Sequence, residues 1–215
     1  MSNSDRVFVD RAEKLARSFF EGDATGHDWY HTHRVRNTAV SLAEKEDADL
    51  FVCEMAALLH DVADDKFYDE PERGMQFVQS WLEKENVPKA AQIIKAIETV
   101  SFKGGTNRAP DTIEGRVVQD ADRLDAIGAT GIARCFMYAG AHQDPMHVPE
   151  LPPRTNMTEK DYRTGKSTAI NHFYEKLLTL KERMQTVTGK RMAQERHAFL
   201  ETFLDTFADE WNGKK

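Results

Sequence analysis

Apolar residues recur at intervals of three and four along almost the whole chain, and no segment shows the alternating pattern of a strand hairpin. Intervals of three and four place side chains on one face of an α-helix. In residues 28–46, for example, Val35, Ala39 and Leu42 share such a face with His31. The pattern therefore predicts an all-α fold.

Glycine and proline positions divide this pattern into eight predicted helices. They cover residues 5–21, 28–46, 48–62, 71–85, 88–100, 113–141, 167–186 and 190–211. The third is apolar on nearly every side, which is typical of a central helix in a bundle. The sixth is expected to continue past Gly128 and Gly131 as one long helix. Four prolines in residues 144–161 predict an irregular excursion, and a lid is one hypothesis for its role.

Length and charge narrow the possible partners. The chain has 215 residues, of which 40% are hydrophobic, and a formal net charge of −7 at pH 7. These values predict a single domain over residues 1–215, with closing helices in residues 167–212. A net acidic protein has no general attraction for a nucleic-acid polymer or an anionic membrane. A partner that carries phosphate is expected to be small and to meet a local group of basic side chains.

Cysteine usage and the N-terminus predict a compartment. Cys53 and Cys135 stand singly among apolar residues, so we expect reduced thiols in the core. The first residues are polar and precede no apolar signal segment, and no run of about 18 uncharged apolar residues occurs. A cytoplasmic protein without a membrane anchor is expected. The sequence indicates no oligomeric state.

An imidazole and a carboxylate, His60 and Asp61, stand side by side at the end of the most apolar predicted helix. An unpaired buried polar group costs about 1–3 kcal/mol, and an ion costs more, so both side chains need a partner. A metal ion is one candidate. The alternative is that His60 caps the helix end and that Asp61 is solvated beyond it.

Two further positions offer the same ligand chemistry. His31 lies on the inward face of the second predicted helix, and Asp122 lies on the sixth. A core histidine is the alternative for His31, and an ion pair with Arg123 or Arg116 is the alternative for Asp122. Two imidazoles and two carboxylates together suit a divalent metal, and the lack of cysteine ligands argues against a structural zinc site.

Three segments occur in a characteristic order: residues 27–35 (HDWYHTHRV), 58–65 (LLHDVADD) and 120–128 (DADRLDAIG). This H…HD…D order, over about residues 26–127, resembles the HD-domain metal-dependent phosphohydrolases, and in particular the stand-alone bacterial branch that includes nucleoside triphosphate pyrophosphohydrolases. The resemblance implies a compact helical bundle with additional C-terminal helices. It also implies one divalent metal ion, with Mn²⁺ preferred over Mg²⁺, Co²⁺, Fe²⁺, Ni²⁺ or Zn²⁺, held by His31, His60, Asp61 and Asp122.

An acidic pair, Asp64 and Asp65, follows His60 and Asp61 by four residues and so stays near the predicted metal site. A carboxylate there can orient an attacking water or take its proton. In HD-family alarmone hydrolases, an acidic pair at this spacing is catalytic, which favours the same role here. We therefore predict general acid or base catalysis by the pair. The alternative is a capping turn before Lys66.

Basic residues near the motifs are candidates for binding substrate phosphates. Lys103 is favoured because two flexible glycines follow it. A solvated side chain or an ion pair is the alternative for each. The four candidates are Arg34, Lys66, Lys103 and Arg123.

The resemblance implies hydrolysis of a small nucleotide, with a (deoxy)nucleoside triphosphate giving a monophosphate and pyrophosphate. A nucleoside monophosphate phosphomonoesterase and a cyclic-nucleotide phosphodiesterase are alternatives, and a non-catalytic metal or nucleotide sensor is the alternative from another class. Alarmone hydrolases continue Ala-Asp-Arg-Leu with His-Asn, whereas this chain has Asp125 and Ala126, which argues against an alarmone substrate.

Overall fold

Helices make up the regular structure of the chain. The computed structural model describes residues 2–22, 26, 28–70, 72–101, 108–155, 157 and 165–214, and this part contains α-helices and short 3₁₀ turns but no strand. The all-α prediction is confirmed. None of the described helices has the length and apolar character needed to cross a membrane. In chain order they are α1 (Asn3–Phe19), α2 (Trp29–Lys45), α3 (Leu50–Leu59), α4 (Arg73–Lys84), α5 (Ala90–Ile97), α6 (Ile113–Asp125), α7 (Gly128–Ala141), α8 (Ala169–Glu175) and α9 (Val187–Trp211).

Helix α3 lies at the centre of the bundle, as its apolar sequence predicts. It packs against α1, α2, α5 and α6. Every residue from Phe51 to Leu59 is buried, and this includes Glu54. The carboxylate of Glu54 is paired with Arg36 of α2, whose Nε donates to Oε1 at 2.8 Å. The central position of α3 carries its C-terminal end, with His60 and Asp61, into the interior.

The prediction of one helix over residues 113–141 is wrong, because the chain breaks between α6 and α7. Ile127 is extended, and Gly128 has a φ of +74°, in the left-handed region that favours glycine. A Cβ at Gly131 would lie 2.3 Å from the backbone of Ala126, so the two helix ends approach closely. The break ends α6 at Asp125 and starts α7 at Gly128.

The predicted helix over residues 167–186 is also shorter. Helix α8 ends at Glu175, and 3₁₀ turns at Leu177–Thr179 and Lys181–Arg183 lead to α9. Buried Asp120 of α6 accepts hydrogen bonds from the backbone N–H of Gln185 (2.9 Å) and of Thr186 (2.8 Å), and from the Thr186 hydroxyl (2.7 Å). Because Asp120 takes these backbone donors, α9 starts afresh at residue 187, capped by Thr186.

The described part of the excursion, residues 144–155 and 157, is irregular, as its prolines predict. The remaining residues up to 161 lie outside the described residues. The backbone N–H of Ala169 donates to the Pro145 carbonyl at 3.1 Å, and Arg154 makes hydrogen bonds to the Glu175 carboxylate at 2.7 and 3.0 Å. The described part of the excursion is thus attached to α8 at two points.

Both cysteines are buried and free. Burial raises the pKa of the Cys53 thiol, and burial raises that of Cys135 to about 12. The thiols are therefore protonated, unreactive parts of the core, which is the predicted role.

Candidate metal centre

His31 enters the site from the first turn of α2. Asp28 caps this helix by accepting a hydrogen bond from the His31 backbone N–H at 2.9 Å. The imidazole is 1% exposed. Its Nε2 lies 3.2 Å from Oδ2 of Asp61 and 3.5 Å from Oδ1 of Asp122. The prediction that His31 lies on the inward face of the second helix is confirmed.

His60 stands at the C-terminal end of α3. Its Nδ1 donates to the carbonyl oxygen of Ala57 at 2.8 Å, which places the proton on Nδ1 and leaves Nε2 as the electron-pair donor. Nε2 lies 3.6 Å from Oδ2 of Asp61 and 3.8 Å from Oδ1 of Asp122. The histidine thus caps the helix with one nitrogen and directs the other toward the carboxylates.

The donor atoms of His31, His60 and Asp122 all lie within 4.8 Å of one another. Together with Oδ2 of Asp61, which lies beside both histidines, they are called the metal group below. Two buried atoms at this point, Nε2 of His60 and Oδ2 of Asp61, have no hydrogen-bond partner among the described residues. Buried polar atoms are rarely left in that condition. Donors about 2.1 Å from a common cation stand about 3.0–3.4 Å apart, close to the separations seen here. The nitrogen and oxygen donors therefore fit a divalent cation.

Lys66 and Asp61 form an ion pair beside this group, with Lys66 Nζ 2.7 Å from Oδ1 of Asp61. Burial raises the pKa of Asp61, but the positive charge of Lys66 outweighs it, and the pKa falls well below its usual value. Burial lowers the pKa of Lys66, but Asp61 and Asp64 more than compensate, so this pKa is raised. Both groups are charged at neutral pH.

The acidic pair divides between two environments. Asp64 lies next to Lys66, with Oδ2 3.8 Å from Nζ, and its Oδ1 accepts from the Lys66 backbone N–H at 2.9 Å. Asp65 accepts a hydrogen bond from the backbone N–H of Glu72, at the start of α4, at 3.0 Å. The structure therefore brings Asp64 to the ion pair beside the metal group and directs one oxygen of Asp65 toward α4.

The predicted phosphate-binding residues are also placed differently from one another. Lys66 stands beside the metal group. Arg34 donates from Nε to Oδ1 of Asp125 at 2.7 Å. Arg123 is buried and donates to the carbonyl oxygen of Arg183, ahead of α9. Lys103 lies outside the described residues.

Asp125 is a site residue that the sequence analysis did not assign. Its Oδ2 accepts from Nδ1 of His31 at 2.8 Å and from Arg134 at 2.9 Å. Burial raises the pKa of Asp125. Hydrogen bonds from His31 and Arg34 and the charge of Arg134 lower it by more, so the net pKa lies below its usual value. Its position one helical turn after Asp122 was a signal for the same face of α6. Nothing in the sequence indicated Arg134 on α7.

Comparison with known proteins identifies the family of this chain. The model of the HD domain family matches residues 28–127. YpgQ of Bacillus subtilis (strain 168) is 41% identical over 203 residues, which are 91% of each chain. The chain belongs to the HD superfamily. Among solved HD-superfamily hydrolases, one from Bacillus thuringiensis is 41% identical, with a TM-score of 0.76 over 97% of this chain and 98% of the other.

The HD fold extends beyond the family match in this chain. A Lactobacillus plantarum crystal structure, 37% identical, aligns over 99% of both chains with a TM-score of 0.85. A structure of Bacillus subtilis YpgQ in complex with ADP, 38% identical, aligns over 94% of this chain and 97% of that one, with a TM-score of 0.75. These alignments include α7–α9, so the later helices are a shared part of the architecture.

Proposed function

We propose that this HD protein is a divalent-metal-dependent phosphohydrolase that cleaves a (deoxy)nucleoside triphosphate to the monophosphate and pyrophosphate. One observation carries the proposal. Nitrogen and oxygen donors of His31, His60 and Asp122 converge, and Asp61 adds a buried carboxylate oxygen without a hydrogen-bond partner among the described residues. A metal ion bound here would give the buried, unpaired oxygen of Asp61 and the unpaired Nε2 of His60 a partner.

His31, His60, Asp61 and Asp122 would hold the cation. When bound, the cation would supply Lewis-acid chemistry, making water more acidic and stabilising negative charge on phosphate oxygens. Both His31 and His60 are kept in place by hydrogen bonds that their Nδ1–H groups donate to Asp125 and to the Ala57 carbonyl, at 2.8 Å in each case. Both Nε2 atoms can therefore face the site without rearrangement. Mn²⁺ is our preferred metal because carboxylate and water ligands suit it, with Mg²⁺, Co²⁺, Fe²⁺, Ni²⁺ and Zn²⁺ as the alternatives.

Lys66 and Asp64 are the side chains best placed to act on the substrate. Lys66 holds Oδ1 of Asp61, and its charge can also stabilise a phosphate oxygen. Asp64 lies 3.8 Å from the Lys66 ammonium, so its carboxylate can orient water or accept a proton while the lysine stabilises its charge. Asp65 is retained as a second candidate, with a weaker case because it binds the start of α4.

A nucleotide substrate is supported by the ADP held in the YpgQ structure, a protein 38% identical to this chain. The net charge of −7 argues for a small phosphate-bearing substrate rather than a nucleic-acid polymer. Lys66 supplies a local positive charge within this acidic protein.

The test is a nucleotide panel assayed for both products. The protein is stripped of metal, resupplied with Mn²⁺, Mg²⁺ or Co²⁺, and assayed for pyrophosphate and for phosphate. Asp122→Asn is the loss-of-site variant, because its side chain is 27% exposed and the change preserves size, so folding should survive. Glu70→Gln is the matched control, because it makes the same carboxylate-to-amide change at an exposed residue whose ion-pair partner is Arg73.

Metal-dependent pyrophosphate release that is lost in Asp122→Asn and kept in Glu70→Gln is the expected result. Release of phosphate alone would replace the proposal with a phosphomonoesterase. Ring opening of a cyclic nucleotide would replace it with a phosphodiesterase. Bound metal and nucleotide without turnover would replace it with a sensor.

A further inference from the structure

A buried carboxylate connects three helices behind the metal group. Asp125, at the end of α6, is 4% exposed. It accepts from His31 of α2, from Nε and Nη2 of Arg34 at 2.7 and 3.1 Å, and from Nη1 of Arg134 of α7 at 2.9 Å. Arg134 also donates from Nε to the Gly26 carbonyl oxygen at 2.8 Å, in the segment before α2.

We infer that Asp125, fixed by Arg34 and Arg134, is a positioning residue that sets the ring orientation of His31 and keeps Nε2 directed at the metal group. The expected effect of Asp125 on metal binding rests on the proposed function. The expected effect of Asp125 on the orientation of the His31 ring does not depend on that proposal. Arg134 lies beyond the residues that match the HD family model, so α7 contributes to the site through this bridge.

Hydrogen-bond chemistry explains the orientation. An ionised carboxylate can only accept a hydrogen bond. Nδ1 of His31 must therefore carry the proton of the 2.8 Å hydrogen bond to Asp125. A carboxylate bound to the second nitrogen of a metal-binding histidine fixes its tautomer and increases its basicity. Arg34 binds both carboxylate oxygens and Arg134 binds Oδ2, so Asp125 is held facing the imidazole.

Charge explains why an amide cannot replace this carboxylate. Arg34 and Arg134 place two positive charges behind His31, and Asp125 carries the negative charge that lies between them and the ring. In Asp125→Asn the arginines would remain without that charge. Their field would then oppose a cation at Nε2, and an asparagine amide could turn its NH₂ toward the ring.

The direct test observes the ring in the metal-free protein. In protein labelled with ¹⁵N-histidine, the hydrogen-bonded Nδ1–H of His31 should give a slowly exchanging proton signal, assigned by its absence in His31→Gln. We expect Asp125→Asn to lose or shift this signal. The matched control is Asp120→Asn, an equally buried carboxylate on α6 that binds Thr186 instead of His31, and it should keep the signal.

The second readout is the affinity for Co²⁺ alone, measured from its visible absorption. Loss of a carboxylate behind a metal-binding histidine typically weakens metal affinity about 10–100-fold, and we expect that range for Asp125→Asn. Asp120→Asn should lower thermal stability but keep the wild-type affinity and spectrum. If Asp125→Asn does not fold, Arg134→Met is used, and the deciding readout is then a shifted His31 signal, because Asp125 loses the arginine that holds Oδ2 beside the ring.

The inference is overturned if the substituted protein keeps both the His31 signal and the wild-type Co²⁺ affinity, or if the wild type shows no protected His31 Nδ1–H. A different pattern tests the proposed function by itself. If the His31 signal depends on Asp125 but no variant, including the wild type, binds Co²⁺, then the positioning role stands and the metal site fails.

Discussion

Each of the two central histidines uses one ring nitrogen for the protein and presents the other to the metal group. Nδ1 of His60 donates to the Ala57 carbonyl, and Nδ1 of His31 donates to Asp125. Asp61 divides its oxygens in the same way, with Oδ1 on Lys66 and Oδ2 near the histidines. At the scale of single residues, the site consists of side chains that are already held in orientation before a ligand binds, which favours tight and specific coordination.

Lys66→Met tests this division at Asp61. We expect pyrophosphate release to fall about 10–100-fold, because Asp61 loses the partner of Oδ1 and the substrate loses a nearby positive charge. The measurement is the steady-state rate with saturating Mn²⁺. Lys95→Met is the matched control, since Lys95 pairs with Glu98 and Asp111 on the surface of α5, and its rate should not change. A wild-type rate in Lys66→Met would contradict the role.

At the scale of elements, breaks between helices matter as much as the helices. The break after Asp125 lets α7 return Arg134 to the end of α6, which one continuous helix would carry away. The cap of α9 at Thr186, held by Asp120, attaches the last helix to the same α6. Helix α6 therefore connects the metal group with both later helices.

Gly128→Ala tests the α6–α7 break. With φ at +74°, an alanine should cost about 1–2 kcal/mol of unfolding free energy, measured by urea denaturation. Its Cβ would also meet the Arg196 side chain at 3.0 Å. The control is Gly140→Ala, inside α7 with nothing within 4 Å, which should stabilise by about 0.5–1 kcal/mol. Equal effects at the two glycines would contradict the explanation.

Glu175→Gln tests the attachment of the excursion to α8. Burial raises the pKa of Glu175. Hydrogen bonds from Arg154 and Ser167 lower it by more, so the net pKa lies below the usual 4.5. A pKa that is lower in the folded state stabilises the protein above the unfolded value, and this contribution disappears as the pH falls through the folded value.

We therefore expect Glu175→Gln to lose about 1–3 kcal/mol at pH 7, with the difference from wild type shrinking as the pH falls below 4.5. Urea unfolding over a pH series measures both. Limited proteolysis should also cut residues 144–155 faster in the variant. A difference that is constant with pH would show that the Glu175 charge has no part in the attachment.

At the scale of the whole molecule, the proposed ligands come from parts of the chain that are far apart in sequence. His31 belongs to α2, His60 and Asp61 follow α3, and Asp122 belongs to α6. A cation bound by all of them would connect the three helices that form the middle of the bundle. Metal binding should then stabilise the whole fold.

Mn²⁺ at about 100 times its dissociation constant should add about 2.7 kcal/mol to the free energy of unfolding. For a chain of this length, that corresponds to a rise in Tm of about 5–10 °C. Thermal unfolding with and without Mn²⁺ measures the shift, and Asp122→Asn should abolish most of it. The same shift in the variant would mean that Mn²⁺ binds elsewhere on this acidic protein.

The local sequence was sufficient for helix type, for the central position of α3 and for the inward direction of His31. Each of these depends on the order of apolar and polar residues within one helix, which periodicity reports directly. The metal-ligand predictions for His31, His60 and Asp122 relied on short motifs with unusual buried polar residues, and the structure places their donor atoms together. Their role as ligands stays a prediction.

The sequence by itself therefore determined the all-α class and the core faces, which follow from local spacing, and it indicated the candidate metal residues through side-chain chemistry together with the resemblance to the HD-domain phosphohydrolases. Only the tertiary structure decided the break at Gly128, the end of α8 at Glu175, the start of α9 at Val187 and the partners of Arg34 and Arg123. Those features depend on contacts between residues distant along the chain, such as Asp120 with Thr186 and Arg134 with Asp125. No periodicity in one segment reports a hydrogen bond to another segment.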